Sequence, residues 1–360
     1  MKTMRLEGRL WATALILLAA ALGACRDAPA PTAPAADPAG RAAAPADKTY
    51  KIGVSAYYGM AFTVVAQQKG FFADEGLKVK VLQYPAANDW YNAMVNDAVH
   101  FAVPWSSTHI TLVQGGGHKV NLGGFVFARN THFWIVKPGV TPQNIASKRL
   151  GMSIDLLGYR WMLYDYAQKN GLKMADMTIV KDMPDNDVLA NFVAGDLDGA
   201  LLLGDNVQKA LDAGGVPIAT NRAAMSLLSL MVSRENLQNM PPEDLEKIGR
   251  ACVRGLAWMR DPANTEALYV LLKDFWGDER NWKGHTQLAS LEAFKQEQQK
   301  FVVLSPQELL DMNSRQLPEI YAEGRALLTA IGKPTDAQVY SEIVDTSVLL
   351  KVLKDMGHGG

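Results

Sequence analysis

Cysteine is nearly missing from this chain: its 360 residues hold two, Cys25 and Cys252, which excludes a cysteine-based metal site. Histidine is sparse as well. His100, His109, His118, His132, His285 and His358 are scattered, and His109 and His118 stand too far apart for an i, i+4 metal pair on a helix. There is no GxSxG, no P-loop and no HExxH, so the common nucleophilic, phosphate-cradling and zinc-hydrolase constellations are excluded. An excess of one charge is missing too, since 36 Lys and Arg stand against 37 Asp and Glu. Nucleic-acid binding has no electrostatic footprint here. The apolar run from Leu10 to Leu22 is too short for an ordinary membrane span.

That run suits a secretory signal, because Met1 to Arg9 before it is basic, with Lys2, Arg5 and Arg9 against Glu7. Leu22-Gly23-Ala24-Cys25 follows directly and resembles the bacterial lipoprotein lipobox. The resemblance implies cleavage before Cys25 and lipid attachment to its sulfur; a plain signal peptide with a chance cysteine is the alternative. Loss of residues 1–24 would leave 33 basic and 36 acidic residues, a net charge of about −3. With Cys25 lipid-bound, Cys252 stands alone and cannot form an internal disulfide, so stability outside the cytoplasm must come from core packing. Residues 26–48 are dominated by alanine and proline, with almost nothing to bury. They read as a disordered tether spanning at most roughly 70 Å.

The folded chain is organised around Tyr50 to Phe72. Tyr50, Ile52 and Val54 alternate as a strand requires, while Phe62, Val65, Ala66 and Lys69 follow at helical spacing up to Gly70, which ends a helix at low cost. Tyr57-Tyr58-Gly59-Met60 therefore sits between a strand end and a helix start, where open α/β sheets bind ligands. The alternation continues with strands at 78–83, 100–103, 120–127 and 133–137 and helices at 89–97 and 108–114, the latter stopped by Gly115-Gly116-Gly117. A second round begins at Pro138: strands at 149–153, 177–180, 199–203 and 216–220, and helices at 158–170, 185–194 and 205–213. Residues 227–232 form one more strand, and from Pro241 the pattern is almost wholly helical: 242–259, 265–275, 286–300, 306–313, 318–331 and 336–355. Ser305-Pro306-Gln307-Glu308 is a capping-box start. The two rounds echo each other faintly, which makes the loops at Pro104 to Ser107 and Gly204 to Asn206 equivalent.

Ile52-Gly53, the stretch Gln67 to Leu77, Asn96-Asp97 with Phe101-Ala102, Lys148 to Ser153 and Ala194-Gly195-Asp196-Leu197-Asp198 together resemble the periplasmic substrate-binding proteins of ABC importers, in the branch serving sulfonates, taurine, nitrate and thiamine precursors. The similarity runs from about Tyr50 to Asp261. It implies an α/β, two-lobed periplasmic-binding-protein fold, each lobe a mostly parallel sheet flanked by helices, joined by two crossing hinge strands near 128–135 and 220–232. The expected organisation is a signal peptide over 1–24, a tether over 25–48, lobe 1 over 49–132 and 226–360, and lobe 2 over 133–225. The resemblance further implies a monomer without catalysis or cofactor, held at the periplasmic or extracellular face by its lipid, which closes on a small organic solute and delivers it to a permease and ATPase. A ligand sensor without transport is a second possibility. A third is an enzyme of the same fold, as in thiamine-pyrimidine or menaquinone biosynthesis; the pyrimidine synthases carry a cysteine-rich motif that this chain lacks.

Ligand-facing candidates on lobe 1 are Tyr57, Tyr58, Trp90, Trp105, Ser106 and Ser107, since aromatics supply flat apolar area and hydroxyls supply oriented hydrogen bonds. Trp90 fits a buried helix face equally well, and the serines fit helix capping. On lobe 2 they are Asp155, Gly158, Tyr159, Arg160, Asp205 and Asn206. Arg160 could clamp an anion or simply be solvated, and Asp205 and Asn206 could simply cap the next helix. Asp155 to Arg160 stand where the family commonly has small and hydroxyl residues, which argues against a simple oxyanion.

Overall fold

The structure of the protein, a computed structural model, describes residues 48–84, 87–114, 119–153, 156–181, 183–221, 223–277, 288–333 and 340–358. The lipobox, the tether up to residue 47, the Gly115–Gly117 stop and Asp155 lie outside the described residues.

Alternation sets the first strand: Thr49–Val54 (β1) buries Tyr50, Ile52 and Val54 and exposes Thr49 and Lys51. There follow Ala61–Gln68 (α1), Phe71–Asp74 (α2), Lys78–Gln83 (β2), Ala87–Val95 (α3), Phe101–Ala102 (β3), Ser106–Gln114 (α4) and Lys119–Ala128 (β4). Residues 129–131 carry the chain to His132–Val136 (β5). The second round is Arg149–Gly151 (β6), Leu157–Lys169 (α5), Thr178–Val180 (β7), Asp185–Ala194 (α6), Gly199–Leu203 (β8), Asp205–Asp212 (α7) and Val216–Thr220 (β9). Residues 221–226 lead back to Leu227–Ser233 (β10). Then come Arg234–Gln238 (α8), Pro242–Arg260 (α9), Thr265–Trp276 (α10), Leu291–Gln298 (α11), Phe301–Val303 (β11), Pro306–Asp311 (α12), Leu317–Ala330 (α13), Tyr340–Ile343 (α14) and Ser347–Asp355 (α15).

Two sheets result, one per lobe. Lobe 1 carries the order β11-β4-β10-β3-β1-β2, and lobe 2 carries β7-β6-β8-β5-β9. β1, β2 and β3 pair in parallel, as do β6, β7 and β8, because each is followed by a helical crossover. The strand that arrives from the other lobe is inserted against this direction: β10 lies antiparallel between β3 and β4, and β5 antiparallel between β8 and β9. Both sheets are therefore mixed, while most of their strands still share one direction.

The C-terminal helices cover lobe 1. α9 packs on α1, α15 packs on α9 and β4, and α13 lies against both α4 and α5. Three readings of this region need correction. Phe301–Val303 is a strand at the edge of the first sheet, pairing antiparallel with β4. The helix placed at 286–300 starts at Leu291, where the Ser290 side chain accepts from the Ala293 amide at 3.1 Å as an N-cap. The helix placed at 336–355 is broken before Ser347, because the Asp345 amide bonds to the Asn121 carbonyl at 2.8 Å and Val344 bridges to Asn121. The capping box at Ser305 and Glu308 forms with both of its bonds, at 2.7 and 3.2 Å.

Candidate functional site

Strand direction decides where the lobes can meet chemically. The carboxyl ends of β1 and β3 open into the loops bearing Tyr57 and Trp105, and that of β6 opens towards α5. The end of β8 lies beside the start of β5, where Leu203 pairs with His132, and the start of β10 lies beside the end of β4, where Leu227 pairs with Phe127. All these termini face the crossing segments, as ligand-binding loops do in open α/β sheets.

Three rings from three parts of the chain touch there. Trp105 of lobe 1 meets His132 of the crossing strand edge-on at a centroid distance of 4.6 Å and Tyr159 of lobe 2 at 6.0 Å. His132 lies 5.3 Å from Tyr159, and Tyr57 joins through Trp105 at 6.4 Å. None of the four is more than 9 % exposed. Edge-on pairs of this kind contribute about 0.5–1.5 kcal/mol each beyond their buried area.

Backbone contacts fix the rings. An antiparallel bridge from Trp105 to Leu228 and a bond from the Ser229 amide to the Pro104 carbonyl at 2.9 Å hold the Trp105 loop on β10. The Trp134 indole donates to the Tyr159 carbonyl at 3.1 Å and holds the first turn of α5 on β5. Polar groups sit at the base of the rings: Thr131 Oγ1 lies 2.9 Å from His132 Nδ1 and accepts from the Tyr57 hydroxyl at 3.4 Å. Burial pushes the Tyr57 phenol well above its ordinary pKa, so it stays a neutral hydrogen-bond donor.

The other candidates are placed differently. Tyr58 turns away from the rings, packs between Phe294 and Phe301, and accepts from Gln298 at 3.2 Å; burial pushes its pKa up to about 12. Trp90 lies on α3 with its indole donating to the Gly53 carbonyl at 3.1 Å. Ser106 Oγ meets Ser229 Oγ at 2.7 Å, and Ser107 Oγ donates to the Met225 carbonyl at 2.9 Å, so both serines tie the start of α4 to the returning segment. Gly158 packs tightly against lobe 1: an added Cβ would stand 2.8 Å from Ser107 Oγ and 3.3 Å from Trp105 Cε3. Arg160 is half-buried in the first turn of α5, and Asp205 and Asn206 open α7 beyond the end of β8. Asp155 lies outside the described residues. His132 and Thr131 join the candidate set from the structure; the only sequence signal for them was their place at the start of a crossing strand.

Among the described residues no group of three or more His, Cys, Asp or Glu side chains gathers as a metal set, and no helix is long and apolar enough to cross a membrane. Cys252 is free and buried.

The NMT1/THI5-like family model matches residues 59–265, more than half of the chain. The chain belongs to the NMT1/THI5-like family. This NMT1/THI5-like protein matches no curated protein in sequence. Its fold is widely shared among solved structures. The ligand-binding component of an ABC-type import system from Staphylococcus aureus, with zinc bound, aligns at TM-score 0.62 and 10 % identity, over 85 % of this chain and 99 % of that one. The alkanesulfonate-binding protein SsuA from Xanthomonas axonopodis, bound to MOPS, aligns at 0.60 and 14 % identity, over 82 % and 97 %. The nitrate-binding protein NrtA from Synechocystis aligns at 0.60 and 13 % identity, over 86 % and 89 %. At these identities the likeness is one of fold, and the NMT1/THI5-like chain has the two-lobed periplasmic-binding-protein architecture.

Proposed function

We propose that the protein is the lipid-anchored, extracytoplasmic solute-binding component of an ABC importer, which captures a small organic ligand between its lobes and hands it to a permease and ATPase without catalysis. The observation that carries this reading is the contact of Trp105 from lobe 1 with His132 and Tyr159 across the crossing segments. Rings brought together from both lobes form a ligand surface only when the lobes close, which is the logic of capture by hinge motion. To admit a solute the rings must part. The solute then replaces ring-to-ring contact with ring-to-ligand contact, and its differential affinity for the closed arrangement drives closure. Cys25 supplies the anchor and residues 26–48 the reach.

The aromatic lining favours a flat or partly apolar organic solute over an inorganic anion, with an organosulfonate of substantial organic part as the alternative. Native mass spectrometry of the freshly purified protein tests the reading, with a retained small molecule as the expected result. Small-angle scattering then compares the protein with and without that ligand. A radius that stays unchanged at saturation, or a broad screen in which no small molecule raises the melting temperature, defeats it.

A further inference from the structure

A concavity whose lining includes none of the four rings lies at the edge of lobe 2. It encloses about 490 Å³, within the size range of small-molecule sites. Two of its walls are the crossing segments themselves, through Arg129 and Asn130 on the outgoing one and Thr220 and Asn221 on the returning one. α5 supplies a third wall: Met162, Tyr166 and Lys169 recur at the spacing of a single helix face. β9 supplies the fourth in an unusual way. Trp134 pairs with Ala219 but Ile135 pairs with Pro217, so Ile218 is bulged out of register, and the consecutive Ile218 and Ala219 both border the cavity.

The lining has a definite chemical bias. Two cations, Arg129 and Lys169, face one carboxylate, Asp165, and among the described residues no ion pair involves either cation. Met162 and Ile218 provide apolar area, and Tyr166 adds a ring with a hydroxyl. We propose that this cavity binds a small organic anion with a flat or aliphatic body, at a site separate from the ring-lined cleft and independent of what that cleft takes. Arg129 and Lys169 hold the anionic group, while Met162, Tyr166 and Ile218 cover the body. Because both crossing segments line the cavity, its shape changes when the hinge turns. An anion bound there favours one lobe arrangement over the other, and cleft occupancy must change the anion's affinity by the same factor.

Calorimetry with 1-naphthoate as the probe tests this on the wild-type protein and three variants. Saturable binding to the wild type is expected. Replacing both cations, Arg129→Gln with Lys169→Gln, should weaken it about tenfold or more. Ala219→Trp, which fills the cavity from an edge strand, should weaken it at least as much, whereas Trp105→Ala should keep saturable binding, altered only as far as the lobe equilibrium shifts. Melting curves establish that each variant is folded; if Ala219→Trp does not fold, the double substitution of exposed cations decides alone. Absence of saturable binding to the wild type overturns the proposal, as does binding that survives the cavity substitutions. Loss of binding in Trp105→Ala would put naphthoate between the rings, overturning the second site while leaving the cleft reading intact.

Discussion

Asn221 on the returning segment binds the backbone of Thr131 on the outgoing one: its Oδ1 accepts from the Thr131 amide at 2.8 Å and from the His132 amide at 3.0 Å. Its Nδ2 donates to the Ala128 carbonyl at 3.0 Å and to Ser226 Oγ at 2.9 Å. One buried carboxamide thus uses both of its ends to hold the two crossing segments side by side. Asn221→Ala would leave buried amide and carbonyl groups without partners, at a cost of roughly 2–4 kcal/mol. Urea unfolding should show the midpoint falling with its slope unchanged. A loss below about 0.5 kcal/mol, within the range of ordinary surface substitutions, would mean that the hinge is held by other contacts.

Gly158 gives the interlobe contact its own test. Ser107 cannot simply swing aside from an added methyl, because its hydroxyl is committed to the Met225 carbonyl. Alanine is otherwise the better helix former, by up to about 1 kcal/mol. Gly158→Ala should therefore leave the fold intact while enlarging the radius of the ligand-free protein in small-angle scattering. An unchanged radius would show that the side chains adjust and the lobes stay together.

Much of this arrangement was legible in the sequence because strand-to-helix loops announce themselves. Tyr57 and Trp105 each follow a short strand and precede a helix, Tyr159 stands in the first turn of the helix after β6, and the structure brings the three into one buried cluster. Tyr58 looks equivalent on paper, yet Tyr57 is extended while Tyr58 starts a helical turn, and although both rings meet Phe301, that of Tyr58 goes on to Phe294 rather than Trp105. His132 was not legible. What puts it among the rings is its pairing with Leu203, a contact between residues seventy-one positions apart that no local pattern encodes. The same applies to Phe301–Val303: three strand-forming residues fell unassigned between two expected helices, and only the open edge of β4 makes them a strand. Asp345 leaves its helix for the carbonyl of Asn121, again a distant partner.

The core of lobe 1 carries a pH dependence. His109 is fully buried; its Nε2 lies 3.1 Å from the Lys119 carbonyl and must donate to it, which leaves Nδ1 to accept from the Tyr321 hydroxyl at 2.6 Å. The Tyr321 hydroxyl in turn accepts from Asn121 at 2.8 Å. Burial lowers the His109 pKa to about 4. Because the folded value is depressed, its contribution is fully present above the unfolded value near 6.5 and is lost as pH falls towards 4. The loss reaches on the order of 2 kcal/mol at pH 5. Nuclear magnetic resonance should find the ring neutral at pH 5 while urea unfolding shows reduced stability. A ring that titrates near pH 6.5 in the folded protein contradicts this account.

The proposed anchor is separable from recognition, because every candidate ligand contact lies at Tyr57 or beyond. Cys25→Ala should release the protein from the membrane fraction or block its processing, with ligand affinity unchanged. Weakened binding by purified Cys25→Ala protein would show that the tether takes part.

The class of ligand turns on the balance between rings and the single candidate anion clamp. Trp105, Tyr159, Tyr57 and His132 gather at the cleft, whereas Arg160 sits half-buried one turn into α5. Asp155 and Asp205, if they face the ligand, would repel a free sulfonate or nitrate. A well-placed ring contributes about 0.5–1.5 kcal/mol through stacking or a cation-π contact. Trp105→Ala should accordingly weaken binding of the copurified ligand roughly three- to tenfold, and Tyr159→Ala likewise. Tyr58→Phe should leave affinity unchanged, since that ring faces Phe294 and Phe301 and loses only its bond to Gln298. Arg160→Ala is the opposing arm of the same calorimetric series. If it abolishes binding while Trp105→Ala leaves binding intact, the ligand is held as an anion and the rings serve only to close the lobes.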